Sequence, residues 1–346
     1  MVGNGGLVSE TRRGAASAPL TGQRQQGAHA RMQLAGTDIR LLRVFDAVVR
    51  HYGFAAAQAE LNVSQSTISS QISALEDRLG VTLCRRGRAG FRLTQKGEAV
   101  HAAVVRLLAA MDGFVSETAG LRGSLTGTIR IGVVDSVATD PDFHLPEAIA
   151  ALEAKSPAIR FDLAQGSPQD LQSRVLDGTL HLGIGSFPHK VKGLRYQHLY
   201  DETNRLYCAR GHRLWSVEDA QLSPDFVASL RAVGRSYWRE DHWNNRDFPN
   251  STAMAQGLEQ QLIMILSGAF IGYMPQHAAA TWVAQGRLRP ILPQHFIYTC
   301  PFDVVTRPGA HLSPLAQALI AEIETAYAAA GRPVEPARGE AAPERP

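Results

Sequence analysis

Residues 54–79 constrain the fold more than any other part of the chain, because they predict two short helices joined by a tight polar turn. The second predicted helix carries an apolar stripe at the helical period of about 3.6 residues. The stripe consists of Ile68, Ile72, Leu75 and Leu79. Ser64 is a favourable N-cap for this helix, and Gly80 is a favourable left-handed C-cap. The opposite face carries small hydroxyl and amide side chains, which favours a helix that enters the major groove of DNA.

Candidate DNA contacts lie on this polar face and in the basic loop that follows the helix. Glutamine in the first turn can form two hydrogen bonds with adenine, and short hydroxyl side chains can contact phosphates or bases. Arginines of the loop can contact phosphate or a narrow minor groove. The predicted contacts are Gln65, Ser66, Thr67, Ser69, Ser70, Arg86 and Arg88. The alternative is that the serines and the threonine only cover an exposed helix.

Elements on either side of this helix pair complete a small domain. A first helix is predicted over residues 37–51, and the short helix before the turn over residues 54–61. Residues 81–83 and 91–93 are predicted to pair as a small hairpin, or wing, around a basic loop. Cys84 is predicted to be a small buried residue.

The net charge of +3 hides a segregation of charge along the chain. Residues 37–97 hold nine Lys or Arg against five Asp or Glu, whereas residues 98–346 hold 22 against 26. This distribution is typical of a phosphate-binding module joined to a neutral-to-acidic sensing body. Residues 1–36 have a net charge of +3 and no apolar period, and they are predicted to be a disordered tail. Met32, just before the first predicted helix, is an alternative start.

Composition and motifs argue against several classes of protein. No uncharged apolar run of about 18 residues is present, so no transmembrane helix is expected. The N-terminus lacks the apolar core of a secretory signal, which favours a cytoplasmic protein. The three scattered cysteines argue against a disulfide framework and a Cys-based metal site, and no cofactor is expected. The sequence has no GxSxG elbow, P-loop or strand-linked GxGxxG motif, so an enzyme is not predicted.

A long helix is predicted over residues 95–121. Its apolar residues recur at alternating spacings of four and three, which is the pattern of a coiled-coil seam. The seam consists of Val100, Val104, Leu107, Met111 and Phe114. This pattern favours pairing with a second copy of the chain, and the alternative is docking of the helix onto the chain's own domain.

Beyond residue 127 the sequence alternates between strand and helix patterns, which predicts a parallel, doubly wound sheet. A second unit of the same kind begins near Arg195, and a helix over about 313–328 follows. Strands in the second unit are predicted over 205–209 and 269–273. Two α/β lobes followed by a final helix predict a hinged ligand-binding module.

The residues named above are similar in order and spacing to those of LysR-type transcriptional regulators. The shared positions are Leu42–Phe45, Phe54–Leu61, Val63–Gln65, Ile68, Ser69, Gln71, Ile72, Leu75, Glu76, Leu79, Gly80, Leu83, Arg86, Gly90, Leu93, Thr94 and Gly97. The segment Leu262–Pro275 resembles the family's helix–Gly–strand–Pro element of the second lobe. The resemblance covers about residues 37–330.

Four positions depart from the family's pattern. Ser70 stands where many members have a basic residue, and Ala89 occupies a usual arginine position. Cys84 replaces a usual phenylalanine. Gln58 stands where alanine is usual, and it either reaches a phosphate or only packs within the domain.

The resemblance implies a multidomain fold that combines an α+β winged helix-turn-helix, a long linker helix and a C-terminal two-lobed α/β effector domain shaped like periplasmic binding proteins. The expected divisions are a tail at 1–36, the DNA-binding domain at 37–97, the dimerisation helix at 98–122, the effector domain at 127–330 and a second disordered tail at 331–346. Within the effector domain, lobe 1 is expected at 127–190 and 296–330, and lobe 2 at 191–295.

The implied function is a sequence-specific regulator whose activity a small molecule modulates. Expected partners are double-stranded promoter DNA, a small-molecule effector, RNA polymerase and further copies in a homodimer or homotetramer, without a membrane. A solute-binding protein without DNA function is disfavoured by the basic N-terminal module. A ligand-independent architectural or repressor protein stays as the alternative.

Effector contacts are predicted where strands end at the boundary between the lobes. Ser136 follows the first strand and Ser167 caps a helix, so both can present hydroxyls beside free backbone N–H groups. Such a site favours a carboxylate or another small anion. Tyr237 and Trp238 follow a strand of the second lobe, where they either line a cleft for a ring-bearing ligand or fill the lobe core.

Overall fold

The computed structural model describes the chain over residues 35–87, 90–121, 125–236, 248–249, 251, 253–308 and 312–334. Its N-terminal part contains three helices and a two-stranded wing. These elements are α1 (Gly36–Arg50), α2 (Gln58–Leu61), α3 (Gln65–Leu79), β1 (Cys84–Gly87) and β2 (Gly90–Leu93). The apolar stripe predicted on α3 is confirmed, because Ile68, Ile72 and Leu75 are fully buried in one core with Phe45.

The predicted ends of α3 are also confirmed. The Ser64 hydroxyl accepts a hydrogen bond from the Thr67 N–H at 3.2 Å, and Gly80 adopts the left-handed conformation with φ 67°. Gln58 contributes a second cap, since its side-chain oxygen accepts from the Gln65 N–H at 3.1 Å. Of the two interpretations of Gln58, the structure therefore favours a role within the domain.

The register predicted for the wing is wrong. β1 pairs with β2, whereas the sequence pattern paired 81–83 with 91–93. The Glu76 carboxylate accepts from the N–H groups of Leu83 (2.7 Å) and Cys84 (3.2 Å), so α3 binds the backbone before the strand begins. Cys84 is buried, as predicted.

A 26-residue helix, α4 (Gln95–Gly120), follows the wing. By length and composition alone it could cross a membrane, and no other helix among the described residues meets those limits. Such a helix is weak evidence for a membrane span, because the core helix of a soluble protein can have the same composition. Only 17% of its most apolar window is buried within the chain, so most of this apolar surface is exposed.

The remainder of the chain forms the two-lobed α/β domain. Its strands are β3 (Gly127–Val133), β4 (Ile159–Gln165), β5 (Leu182–Gly185), β6 (Arg195–Ala209), β7 (Val233–Arg235), β8 (Ala253–Ala255), β9 (Gly272–Pro275), β10 (Leu288–Pro290) and β11 (Ile297–Thr306). Its helices are α5 (Leu145–Lys155), α6 (Pro168–Leu176), α7 (Pro224–Ala228), α8 (Leu258–Leu266), α9 (Gln276–Ala284) and α10 (Pro314–Ala329). The main sheet has the order β10-β6-β11-β5-β3-β4, and β9 also pairs with β6.

The predicted parallel pairing holds for β3 with its neighbours β4 and β5. The rest of the main sheet differs, because β11 runs antiparallel to both β5 and β6. β6 is 15 residues long, so the strand predicted over 205–209 is only its final third. Its first residues pair with the end of β11, and its last residues pair with β9 and β10.

Leu199 and Tyr200 of β6 belong to the core of lobe 1, whereas Leu206 belongs to a core of lobe 2, so β6 crosses from one lobe to the other, and β11 crosses beside it. The strand predicted over 269–273 is also displaced: β9 begins at Gly272, after a turn at Gly268 with φ 75°. Lobe 1 has one apolar core, and lobe 2 has one on each face of its sheet. Along β6, Leu206 and Cys208 belong to one of these cores, whereas Tyr207 and Ala209 belong to the other.

Candidate DNA-binding surface and effector cleft

The polar face of α3 is accessible in the structure. Gln65, Ser66, Thr67 and Ser70 are exposed, whereas Ser69 is half-buried. The face opposite the buried stripe can therefore approach a nucleic acid without any rearrangement of the core.

Several hydroxyl groups on this face form hydrogen bonds within the helix. The Ser64 hydroxyl lies 2.8 Å from that of Ser66 and 2.9 Å from that of Thr67. The Ser70 hydroxyl donates to the Ser66 carbonyl at 3.1 Å. The Gln65 side chain is engaged by no other described residue, so both its donor and its acceptor are available for a base edge.

A pair of arginines on the wing was not among the predicted contacts. Arg85 and Arg92 are exposed and lie directly opposite each other across the β1–β2 pair. Side chains opposite each other in an antiparallel pair share one face, and like charges there repel. A phosphate between the two arginines would relieve this repulsion. The sequence pattern did not reveal this pair, because the incorrect register placed Arg92 opposite residues 81–83 and left Arg85 in the loop.

An ion-pair network fixes α1 against α2. The Arg50 guanidinium contacts the Asp46 carboxylate at 2.9 Å and the Glu60 carboxylate at 2.6 Å. The hydrogen bond from Arg50 lowers the pKa of Glu60. Both acidic groups are paired with cations, so they oppose an approaching phosphate backbone less than free carboxylates would.

The predicted coiled-coil seam of α4 is divided between two environments. Val104 is 3% exposed within the core of the N-terminal domain, and Val100 and Leu107 pack against the same core. Met111 is half-buried, whereas Phe114 is 67% exposed. The first three seam residues thus dock onto the chain's own domain, as the alternative interpretation proposed.

A second apolar stripe of α4 faces away from the chain. Its members are the exposed residues Ala103, Ala110, Phe114 and Leu121. Their spacings of seven, four and seven residues match one face of a coiled-coil helix. Phe114 is the member of this stripe that the sequence pattern also placed in the predicted dimerisation seam.

A cleft of about 320 Å³ opens between the two lobes. It is lined by Val134, Asp135, Gln165, Gly166, Ser167, Pro168, Gln256 and Gly257. Ser167 is the N-cap of α6, as predicted, and its hydroxyl accepts from the Asp170 N–H at 3.2 Å. The N-terminus of α6 points its helix dipole toward this wall of the cleft, which gives the wall a positive partial charge.

Asp135 joins the two lobes across this cleft. It follows β3 in lobe 1, and its carboxylate accepts from the Leu258 N–H in the first turn of α8 in lobe 2. Arg235, on β7, lies 3.9 Å from the other carboxylate oxygen. Sequence reasoning missed Asp135, although its place directly after a parallel strand was a signal. Its role in the cleft depends on α8, which is far away along the chain.

Ser136, the other described residue of the predicted effector set, is not in this lining. Ser136 is exposed and left-handed, with φ 61°, and its side chain makes no capping hydrogen bond. Tyr237 and Trp238 lie outside the described residues, as do Arg88 of the wing and the side chain of Arg86. Of the two predicted effector contacts among the described residues, the structure brings Ser167 to the cleft and not Ser136.

Comparison with known proteins gives two family matches. Residues 39–98 match the bacterial regulatory helix-turn-helix proteins of the lysR family, and residues 122–328 match the LysR substrate binding domain. The chain belongs to the LysR family of transcriptional regulators. It is a DNA-binding regulator with an effector-binding domain, and its activity is modulated by a small molecule.

Individual relatives agree with this assignment. The chain is 41% identical over 279 residues to the HTH-type transcriptional activator BauR of Pseudomonas aeruginosa, which covers 80% of this chain and 91% of that protein. It is 32% identical over 207 residues to the probable regulator LrrA of Synechococcus elongatus, covering 58% of this chain and 69% of LrrA.

Solved structures share the fold. The LysR family regulator CbnR matches with a TM-score of 0.59 at 19% identity, covering 84% of this chain and 99% of CbnR. Full-length CbnR in complex with its target DNA matches with a TM-score of 0.58 at 19% identity and the same coverage.

Proposed function

We propose that this regulator reads a promoter site with α3 and the wing, and that a small carboxylate effector binds in the cleft between the lobes. The observation that carries the proposal is the cleft itself, which opens between the lobes at the N-terminus of α6. The positive end of the α6 dipole and the Ser167 hydroxyl meet there, which is a favourable arrangement for an anion. The cleft volume of about 320 Å³ lies at the lower end of the range for small-molecule sites.

The effector acts on DNA binding through the position of the lobes. Asp135 holds lobe 1 to α8 across the cleft, so a ligand that competes with this contact or strengthens it shifts the balance between lobe arrangements. The arrangement of the lobes in turn sets the spacing of the DNA-binding domains in the oligomer. Contact with RNA polymerase is part of this proposal, as is localisation to the cytoplasm.

The oligomer is proposed to form through the stripe of Ala103, Ala110, Phe114 and Leu121 on α4. A two-fold arrangement of α4 helices matches paired half-sites in DNA. A tetramer then arises as a dimer of such dimers.

Replacing Gln65 by alanine is expected to weaken binding to the cognate operator by about 1–3 kcal/mol and to relax specificity at one base pair, because two base hydrogen bonds are lost. The measurement is a fluorescence anisotropy titration with the operator and with single-base variants of it. The matched control is Gln276→Ala, which removes an exposed glutamine from the first position of α9 in the effector domain. Equal weakening on all sequences would show that Gln65 does not read a base.

Replacing Phe114 by aspartate is expected to shift the protein to a smaller species, because a charge would enter an apolar helix contact. Sedimentation velocity of the purified protein measures the change. Phe226→Asp is the matched control, since Phe226 is also exposed (44%, against 67% for Phe114) but lies on α7 in lobe 2. An unchanged sedimentation coefficient for the Phe114 variant would rule out the proposed stripe.

Replacing Ser167 by alanine is expected to weaken a carboxylate effector about tenfold, because one donor to the anion and one helix cap are lost. The control is Ser223→Ala, which removes the same kind of cap: Ser223 precedes Pro224 and accepts from the Phe226 N–H at 3.2 Å. A panel of small carboxylates and their neutral amides is screened by thermal shift, and calorimetry gives the affinities. Binding of amides and carboxylates with equal affinity would contradict the anion site.

Footprinting of genomic fragments, with and without those carboxylates, tests the proposal as a whole. Discrete footprints upstream of the protein's own or a neighbouring gene, changed by one carboxylate, are expected. Evenly distributed binding without any ligand response would instead favour the ligand-independent alternative.

A further inference from the structure

A second polar site lies at the boundary of the lobes, among residues that do not line the effector cleft. Asp140 follows a short 3-10 turn of lobe 1, Glu202 lies on β6 where that strand crosses between the lobes, and His277 lies in the first turn of α9 in lobe 2. Their side chains are only 5%, 8% and 9% exposed, respectively. Three ionisable groups from three elements thus meet in a shielded position.

The spacing of these groups is that of ligands around one ion. The Nε2 atom of His277 lies 3.1 Å from Glu202 Oε1 and 3.4 Å from Asp140 Oδ2. The three candidate ligand atoms all lie within 4.8 Å of one another. Ligand bonds of about 2.0–2.2 Å place adjacent ligand atoms roughly 3.0–3.5 Å apart, which matches both distances to His277.

The surroundings of His277 direct its Nε2 lone pair into this site. The Nδ1 atom lies 2.8 Å from the Thr139 hydroxyl oxygen, and that hydroxyl is placed to donate to the Ser136 carbonyl at 3.4 Å. Thr139 therefore accepts from Nδ1–H, which leaves Nε2 unprotonated in the neutral ring. Such an outer hydrogen bond to the second ring nitrogen is the usual way in which a metal-binding histidine is oriented.

An unprotonated Nε2 would face two carboxylates, and these acceptors repel one another unless a cation lies among them. A proton on His277 would balance one of the two negative charges. The Glu202 carboxylate already accepts from the Asn204 amide through Oε2 at 2.9 Å, which leaves Oε1 for the site.

The Tyr200 hydroxyl lies near the same two carboxylates. Tyr200 is 2% exposed, and its hydroxyl has no hydrogen-bond partner of normal geometry among the described residues. A water molecule bound to an ion in this site would give the buried Tyr200 hydroxyl a hydrogen-bond partner.

We propose that Asp140, Glu202 and His277 bind a divalent transition-metal ion of the Zn²⁺ or Mn²⁺ type. An imidazole nitrogen together with carboxylate oxygens favours these ions over Mg²⁺ and Ca²⁺, which prefer oxygen ligands alone. Because the ligands come from lobe 1, the crossing strand and lobe 2, the ion joins the lobes and stabilises one of their arrangements. Its influence on effector response rests on the function proposed above, whereas the metal site itself does not.

Calorimetry on the untagged full-length protein, treated with chelator and dialysed, tests the site with ZnCl₂ and MnCl₂ separately. One ion per chain is expected to bind. His277→Gln and Glu202→Gln are each expected to weaken binding at least tenfold. The matched control is His101→Gln, which removes a half-buried histidine that contacts a single carboxylate, Asp46, at 3.0 Å. Its affinity for metal is expected to equal that of the wild type.

Anomalous scattering from wild-type crystals soaked in MnCl₂ or ZnCl₂ keeps the test valid if a variant fails to fold. A peak among the three side chains is expected. A wild type without saturable binding, a peak elsewhere in the chain, or folded variants that bind as tightly as the wild type would each overturn the proposal. If the protein fails these metal tests but its promoter footprints still respond to an effector, the metal site is refuted and the regulatory function proposed above stands.

Discussion

Replacing Gly97 by alanine is expected to destabilise the DNA-binding domain by about 3 kcal/mol or more, because the new methyl group would overlap a fixed backbone. A Cβ at Gly97 would lie 1.9 Å from the Leu83 carbonyl oxygen and 2.8 Å from its carbon. Leu83 cannot move aside cheaply: its N–H donates to Glu76 at 2.7 Å, and its carbonyl accepts from the Thr94 N–H at 2.9 Å. The substitution therefore disturbs the junction of α3, the wing and α4 together.

Urea unfolding of the full chain, followed by circular dichroism and by operator binding, measures this effect. The DNA-binding domain is expected to unfold at lower urea, and operator affinity to be lost, while the effector domain keeps its own transition. Gly113→Ala is the control on the same helix, since nothing lies within 4 Å of a Cβ there. That variant is expected to gain about 0.5–1 kcal/mol from the higher helix propensity of alanine. A Gly97→Ala protein with wild-type stability would show that α4 and the wing do not pack so closely.

The recognition helix was predictable from sequence because its determinants are local. The Ser64 cap, the stripe through Ile68 and Ile72 and the left-handed Gly80 all lie within 17 residues, and each has a physical signature of its own. The α6 cap at Ser167 was predictable for the same reason. Resemblance to a known family then extended these local signals to the division into domains.

Features that depend on contacts distant in sequence were not predictable in this way. The first part of β6, from Arg195 to Asn204, mixes charged and apolar residues, and only its pairing with β11 makes it a strand. Val104 fitted a coiled-coil seam by spacing, but the fold brings it against the N-terminal core. Asp135 and His277 gain their roles from partners more than 60 residues away along the chain.

Acidification is expected to weaken lobe 1 through a buried histidine that supports the contact with α4. The Nδ1 atom of His181 accepts from the Arg130 N–H at 2.9 Å, and the residue is 7% exposed. The Arg130 guanidinium in turn contacts the Asp112 carboxylate at 3.0 Å and the Ala109 carbonyl at 3.4 Å, both on α4. A proton on His181 would remove this acceptor and place a positive charge beside Arg130.

The direction of the effect follows from the pKa of His181. Burial lowers it to about 4, and the nearby charges of Arg130 and Arg307 act in the same direction. In the unfolded chain the pKa of histidine is about 6.5, so the unfolded state binds the proton first as the pH falls. The stabilisation from neutral His181 is fully present above about pH 6.5 and is lost between about pH 6.5 and 4. The loss amounts to roughly 3 kcal/mol, since each pKa unit corresponds to about 1.4 kcal/mol.

Urea unfolding curves collected from pH 7 to pH 4 test this prediction through differences between variants, because carboxylates also titrate in this range. His181→Gln is expected to be less stable than the wild type at pH 7 and to approach it at pH 4, since glutamine does not titrate. His189→Gln, at an exposed histidine of the same lobe, is expected to follow the wild type throughout. If the difference between wild type and His181→Gln stays constant with pH, His181 does not titrate differently in the folded and unfolded chains. If the stability difference between the wild type and His181→Gln shrinks as the pH falls, and the affinity of the wild type for DNA falls with it, protonation of His181 loosens the junction through which the effector domain positions α4.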